Sequence, residues 1–471
     1  MSLSLFGLLN VAGQSLSVQQ EATSVAGQNL ANVNNPAYAD ESLQVQAAPS
    51  FQTSAGQEGT GVEAVSITQL WDSLLNSQIT AEGSVTGSLT SQQSALQQAE
   101  AYLNEQLSNT STSVDSVSSP DGLTADLSSL FNSLQALSTD PSNISDRQAV
   151  VQSAQQLSEQ FNSVSSGLAT VSSDMNSSIQ SDVNSSNQDL SEIAGLNKQI
   201  IVAQASGGTA NDLVDEREQL IENLAGYVNL TTSAQANGAV NISIGGVTMV
   251  SDGTTPDSLE TYANSAGNLL VQAQNAGTPL TLSGGSIEGS ITARDGTLAT
   301  LQGSVNTLAT QLISQFNSIY SSGYDLNGNT NQPFFTGSTA ASIGVNSTVV
   351  NDPSTFQAAA SAGDPGDNTV ALALANLANQ PLSALNNQTL GQNYAEAVGT
   401  FGSGLESVNE QLTNSTSVSQ MLTTQRSSET GVDTDTEMTN LMQFQKAYEA
   451  SAELVTTVNE MLETLVNMKT E

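Results

Sequence analysis

The sequence predicts a mainly α protein with β-rich inserts, in which the terminal helices form a coiled coil, long helices form a bundle, and one or two β-rich outer domains lie between them. Three observations carry this prediction. Apolar residues recur at alternating steps of four and three at both chain ends, the spacing of a coiled-coil seam. The same alternation runs without a miss through an internal stretch. The middle then switches to short alternating runs separated by glycines, which is strand and turn patterning.

At the N-terminal end the seam passes through Leu5, Leu9, Ala12, Leu16, Gln19, Thr23, Ala26, Leu30 and Val33. One helix follows, ending near Asn34-Asn35-Pro36, because proline disfavours the α conformation in the residue before it. At the other end Leu441, Phe444, Tyr448, Ser451, Val455, Val458, Leu462 and Leu465 repeat the pattern within a segment from about Asp433 to Asn467. Neither helix can bury its stripe alone. An amphipathic helix takes most of its stability from packing, so the two are expected to pack together and against neighbouring subunits. The candidate assembly residues are Leu5, Leu9, Leu16 and Leu30 with Leu441, Phe444, Tyr448, Val455, Val458, Leu462 and Leu465. An ordinary intramolecular helical hairpin is the plainer reading of the same pattern.

Between the ends, 45–65 reads as a loop with a hairpin, and helix is expected from Ile67 to Leu107, with Trp71 beside Leu70 and Leu74 on it. A Ser/Thr/Asn/Asp loop spans Ser108 to Gly122. A second helix carries Leu127, Leu130, Phe131, Leu134 and Leu137 up to the Asp140-Pro141 break. From Arg147 the positions Val150, Ala154, Leu157, Phe161, Val164, Leu168, Val171 and Met175 hold the four-three alternation, and the helix runs on through Ile193 and Ile200. A rod of about 55 residues spans on the order of 80 Å, a length typical of bundles and fibres. A shorter helix is expected after Asn211, capped by that side chain. A β-rich unit extends from Tyr227 to Ile291, with helix resuming from Thr297 to Tyr320; a loop-rich stretch runs from Gly323 to Gln392, and helix returns from Asn393 to Arg426. The expected organisation is a terminal coiled coil (1–40 with 431–471), a helical bundle (41–226 with 294–322 and 393–430), a β-rich domain (227–293) and a loop-rich β insert (323–392).

Composition narrows the function. With 45 acidic residues against 7 basic ones and a formal net charge of −38, the field of the chain repels phosphate backbones and anionic lipid, so neither nucleic acid nor membrane is an expected partner. The chain has no cysteine and no histidine, which removes thiolate and imidazole chemistry and disfavours an enzyme. No catalytic, cofactor-binding or metal-binding residues are expected. Asp325-Leu-Asn327-Gly-Asn329 opens like a calcium loop, but its sixth position is Thr330 and its twelfth is Thr336 instead of the glycine and bidentate glutamate required; an Asn-Gly turn is the better reading. Asp212, Asp215, Glu216 and Glu218 crowd around Arg217 and read as a solvated, partly ion-paired helix face. Arg294-Asp295-Gly296 reads as a capped helix start, its arginine available to a buried carboxylate.

The terminal segments carry a resemblance. The run Gln28-Asn-Leu-Ala-Asn-Val-Asn-Asn-Pro-Ala-Tyr38, and the run Glu437-Met-Thr-Asn-Leu-Met-Gln-Phe-Gln-Lys-Ala-Tyr448 leading to Asn459-Glu-Met-Leu-Glu-Thr-Leu, resemble the two hallmarks of the bacterial flagellar rod, hook and hook-associated protein family. Arg147-Gln-Ala-Val-Val, Asn211-Asp-Leu-Val-Asp-Glu-Arg-Glu-Gln-Leu220, the Gly285–Leu298 stretch around Arg294, and Tyr324-Asp-Leu-Asn-Gly-Asn with Phe334-Phe335 are similar to the hook-filament junction members in particular. The chain departs from the family pattern where Ala37 and Ala39-Asp-Glu flank Tyr38. The resemblance implies a non-enzymatic structural component of the flagellum that joins hook to filament and permits filament assembly. It also implies secretion with an uncleaved N-terminus through the type III export apparatus, with help from a flagellar export chaperone. Its further implied partners are hook protein, hook-associated protein 3 and further copies of itself in a ring. A hook-associated protein 3 or flagellin-like axial protein is the alternative within the family; an acidic secreted carbohydrate-binding protein is the alternative outside it.

Overall fold

A computed structural model describes residues 5–35, 37–53, 56–104 and 122–468. Helix α1 (Leu5–Asn32) runs into a long antiparallel hairpin of β1 (Glu41–Ala47) and β4 (Val62–Gln69), with a small hairpin of β2 (Phe51–Thr53) and β3 (Gly56–Glu58) at its far end. Strand persists to Gln69, beyond the expected helix start at Ile67, because Ser66-Ile67-Thr68 pair with Leu43 and its neighbours. Trp71 therefore lies before the helix instead of on it. Asp72 caps α2 (Ser73–Leu103) by accepting from the backbone of Leu74 and Leu75, at 2.9 and 3.0 Å. The expected loop from Ser108 lies outside the described residues up to 121.

Helix α3 (Leu123–Thr139) and the 62-residue α4 (Ile144–Ala205) follow, the latter capped by Asn143. Its four-three stripe is wholly buried: Val150, Ala154, Leu157, Phe161, Val164, Leu168 and Val171 are each 0% exposed. Helix α5 (Asn211–Tyr227) starts where expected, but Asn211 does not cap it; its amide donates 3.3 Å to the Ile67 carbonyl and ties the helix to β4.

Two three-stranded antiparallel sheets come next: β5 (Thr231–Ala234), β6 (Val240–Ile244) and β7 (Val247–Val250), then β8 (Leu259–Ala263), β9 (Leu269–Ala273) and β10 (Thr278–Pro279). Helix returns earlier than the pattern suggests, as α6 (Gly285–Thr292), passes through one π-helical stretch (Ala293–Leu298) and continues as α7 (Ala299–Tyr320). Small residues permit this: α6 lies so close to α2 that a Cβ on Gly289 would stand 2.2 Å from the Ser88 carbonyl oxygen. A run of glycines and serines there packs helices and does not punctuate strands.

The 323–392 stretch contains β11 (Phe335–Thr336), β12 (Gly344–Val345), α8 (Ser347–Asn351) and α9 (Thr369–Asn376) among turns. Its apolar residues share one core with α3, α4, α7 and α10 (Leu390–Thr430), centred on the rings of Phe316, Tyr320, Phe334, Phe335 and Phe356. A second core joins the far half of α4, α5 and α6 to both sheets. Helix α10 begins with a reciprocal capping box between Thr389 and Gln392, and α11 (Thr434–Met468) closes the chain against α1.

Candidate functional site

The two terminal helices lie side by side. Ser15 and Ser451 share a hydroxyl hydrogen bond of 2.9 Å, and Asn29 donates 3.2 Å to Glu437. Fourteen residues separate the anchors on each helix, so the pair is antiparallel and in register. The predicted stripe residues lie along this contact with graded burial. Val458 is buried at 2% exposure; Leu5, Leu9, Leu16, Leu30, Leu441, Phe444, Val455 and Leu462 are half-buried; Tyr448 and Leu465 remain exposed at 42% and 55%.

The most deeply buried positions of α1 are Ala12 and Ala26 of the predicted seam together with Val18, Ala22, Val25 and Asn29, which lie beside it. These form a second face turned toward the β1–β4 hairpin as well as α11. The heptad alternation reveals one seam, whereas a helix packed on two sides needs a wider apolar arc; the small residues Ala22, Val25 and Ala26 were its available signal.

Burial falls away toward the free end of the pair. Phe6, Met461, Leu465, Val466 and Met468 are 70%, 52%, 55%, 65% and 75% exposed. At the opposite end, a polar joint fastens the pair to the body. Buried Asn29 accepts from the Tyr38 hydroxyl at 2.8 Å and from the Glu41 amide at 3.2 Å. Its own amide donates to Asp40 at 2.6 Å and to the Glu41 carbonyl at 2.8 Å. On the body side, Asp215 of α5 accepts from the Gln69 side chain and, at 3.4 Å, from the Ala39 backbone. Gln28 donates 3.0 Å to Asp212.

This joint is acidic throughout. Burial, with Glu437 and Glu41 nearby, pushes the Asp40 carboxyl up to about 6. Burial also raises Asp215 to about 7, against the opposing pull of its hydrogen bonds, with Glu41 and Asp212 adding to the rise. Glu41 and Tyr38 are raised as well, chiefly by burial. The expected solvated face around Arg217 is thus corrected: Asp215 and Arg217 are 6% and 4% exposed. Arg217 pairs with Glu218 at 3.1 Å and donates 2.8 Å to the Gly238 carbonyl and 3.2 Å to Asn197, stapling α5 to α4 and the first sheet.

The other arginines singled out in the sequence do similar work. Arg294 grips Asp295 through two bonds of 2.8 and 2.7 Å and donates to Asn176 at 2.7 Å and the Leu269 carbonyl at 2.8 Å, joining α4 to β9. It lies within a continuous helical run, not at a capped start. Arg147 donates 2.7 Å to the Pro141 carbonyl and also bonds the Phe356 carbonyl. Asp325 is an Asx turn, accepting from the Asn327 and Asn329 amides at 2.8 and 2.7 Å. Among the described residues no group of carboxylates is placed to hold a metal ion, and no helix is long and apolar enough to cross a membrane.

Known proteins share this arrangement of segments. Residues 114–335 match the family model described as the helical domain of flagellar hook-associated protein FlgK, and residues 425–468 match that of the C-terminal region of flagellar basal body rod FlgEFG proteins. The chain is 29% identical to flagellar hook-associated protein 1 of Bacillus subtilis, over 98% of each chain. It is 23% identical to flagellar hook-associated protein 1 of Salmonella typhimurium over 70% of this chain and 59% of that one, and the Escherichia coli protein of the same name matches to the same extent. The solved structure of the flagellar hook junction protein FlgK from Burkholderia pseudomallei superposes with a TM-score of 0.48 at 24% identity, covering 55% of this chain and 46% of that one. Matched over 98% of its length by such a relative, and carrying both matched segments in order, the chain is similar from end to end to flagellar hook-associated protein 1.

Proposed function

We propose that the chain is a structural subunit of the bacterial flagellum that joins hook to filament, working through its terminal helix pair and not through catalysis. The observation that carries this reading is the helix pair itself: two antiparallel amphipathic helices, in register, whose apolar surface is covered at the joint and uncovered toward the free end. Water-exposed stripes of this kind are completed by further helices.

The seam residues Leu5, Leu9, Leu16 and Leu30 with Leu441, Phe444, Tyr448, Val455, Val458, Leu462 and Leu465 then serve as assembly surfaces. The partners are copies of the chain in a ring, hook protein on one side and hook-associated protein 3 on the other. Export as an unfolded chain through the type III apparatus, with an export chaperone, accounts for secretion. The division into terminal coiled coil, helical bundle, β-rich domain and loop-rich insert assigns assembly to the first and the outer surface to the rest.

The test is a strain lacking the gene. Loss of swimming with flagellin spilled into the medium as monomer is the expected result; normal filaments and swimming overturn the reading.

A further inference from the structure

The terminal pair carries a groove of about 300 Å³ between α1, the β1–β4 hairpin and α11. Val18, Ala22, Leu43 and Phe444 give it apolar walls, and Asp40 and Glu437 line it with carboxylates that share one amide, that of Asn29. No cation pairs with either carboxylate among the described residues. The occupant that suits such a groove is an ammonium or guanidinium on an aliphatic stem, since the stem packs on the walls while the head meets the acids.

The chain has only seven basic residues. Arg147, Arg217 and Arg294 are buried in the body, Arg426 is paired with Glu222, Lys198 is exposed but stands on α4 in the body and not on the terminal pair, and Lys469 lies outside the described residues. Lys446 of α11 remains. Its side chain is 78% exposed, and its one ion pair is to Glu449 at 2.7 Å, itself 63% exposed, so solvent screens that pair strongly.

Lys446 follows Glu437 by nine residues, about two and a half helical turns, and therefore stands on the opposite side of α11. Met442, one turn away, and Met438 are 57% and 53% exposed beside it. In the register set by Ser15–Ser451 and Asn29–Glu437, Lys446 lies level with Gln20, within the span of α1 that lines the groove. Cation and groove thus occupy opposite faces of one helix pair at one height. Head-to-tail contacts that close into a ring require this placement, because each copy must present different patches to its two neighbours.

We propose that a second copy of this chain docks Lys446, flanked by Met442 and Met438, into the groove, where Asp40 and Glu437 receive its ammonium. The contact rests on the assembly role proposed above and specifies which patch meets which. It supplies attraction between two subunits whose net charges repel, and thioether side chains adapt to an irregular wall.

The absence of cysteine allows a clean test. Flagella are isolated from cells carrying Ser42→Cys, Lys446→Cys or both, and oxidised. A disulfide ladder of dimers and higher multiples is expected in the double variant and not in either single variant, and Lys446→Glu should cut incorporation at least tenfold while Lys446→Arg preserves it. Incorporation of the double variant without a ladder, or normal incorporation of Lys446→Glu, overturns the docking while leaving the junction role standing. If the unaltered chain is absent from the hook-filament junction, the junction role falls and the docking with it.

Discussion

Helices α4 and α11 carry the same four-three apolar spacing yet meet opposite fates in the folded chain. Of the 62 residues of α4, 21 are buried; of the 35 residues of α11, two are. Local sequence does not separate them. The difference lies in what surrounds each: α4 is enclosed by α3, α7, both sheets and the 323–392 stretch, whereas α11 has essentially α1 alone. A seam satisfied within one chain builds a body, and a seam left half-covered leaves apolar side chains such as Met461, Leu465 and Val466 exposed.

The contrast breaks most visibly in the body. Phe161→Ala should cost about 3–5 kcal/mol of unfolding free energy, because the cavity it leaves is fully enclosed; denaturant titration reads this directly. Truncating Met442, 57% exposed on α11, should leave the same titration unchanged. Arg294→Ala should cost about 2–3 kcal/mol, since it strips Asn176 and the Leu269 carbonyl of a charged donor at the α4–β9 contact. A loss below about 0.5 kcal/mol would show that these staples are dispensable.

The joint between the two regions should respond to pH. Folding raises both carboxyls, so the stability tied to their protonated forms is complete below about pH 4 and drains away as pH climbs through about 6 for Asp40 and about 7 for Asp215. Heat-induced undocking of the terminal pair, followed by near-ultraviolet circular dichroism at Tyr38, should therefore occur at lower temperature at pH 8 than at pH 5, and Asp215→Asn should flatten that slope. An unchanged slope in the variant would remove Asp215 from the account. The smallest effect belongs to Lys446→Ala, expected within about 0.5 kcal/mol in the monomer because its pair with Glu449 is exposed on both sides.

Much of the body was legible in the sequence because local rules and packing agree there. The α4 stripe, α3 up to the Asp140-Pro141 break and α7 through Phe316 follow their periodicity. Local pattern misleads where tertiary contacts override it. Ile67 lies in a strand because the β1 register claims it, and α6 forms in a glycine-rich run because its closeness to α2 rewards small residues. At the candidate site, both helices and their seam were visible, but the acidic joint was not. Tyr38, Asp40, Asp215 and Glu437 are far apart in sequence, and Asp215 looks like one more carboxylate on a charged helix face until β4 and Ala39 cover it.

The most direct test of this division is Val455→Asp, placed in the half-buried seam of α11 away from both cores. The variant should keep the denaturant midpoint of the central body and be lost from the hook-filament junction. Normal incorporation of the variant, or collapse of the body along with assembly, would contradict this division.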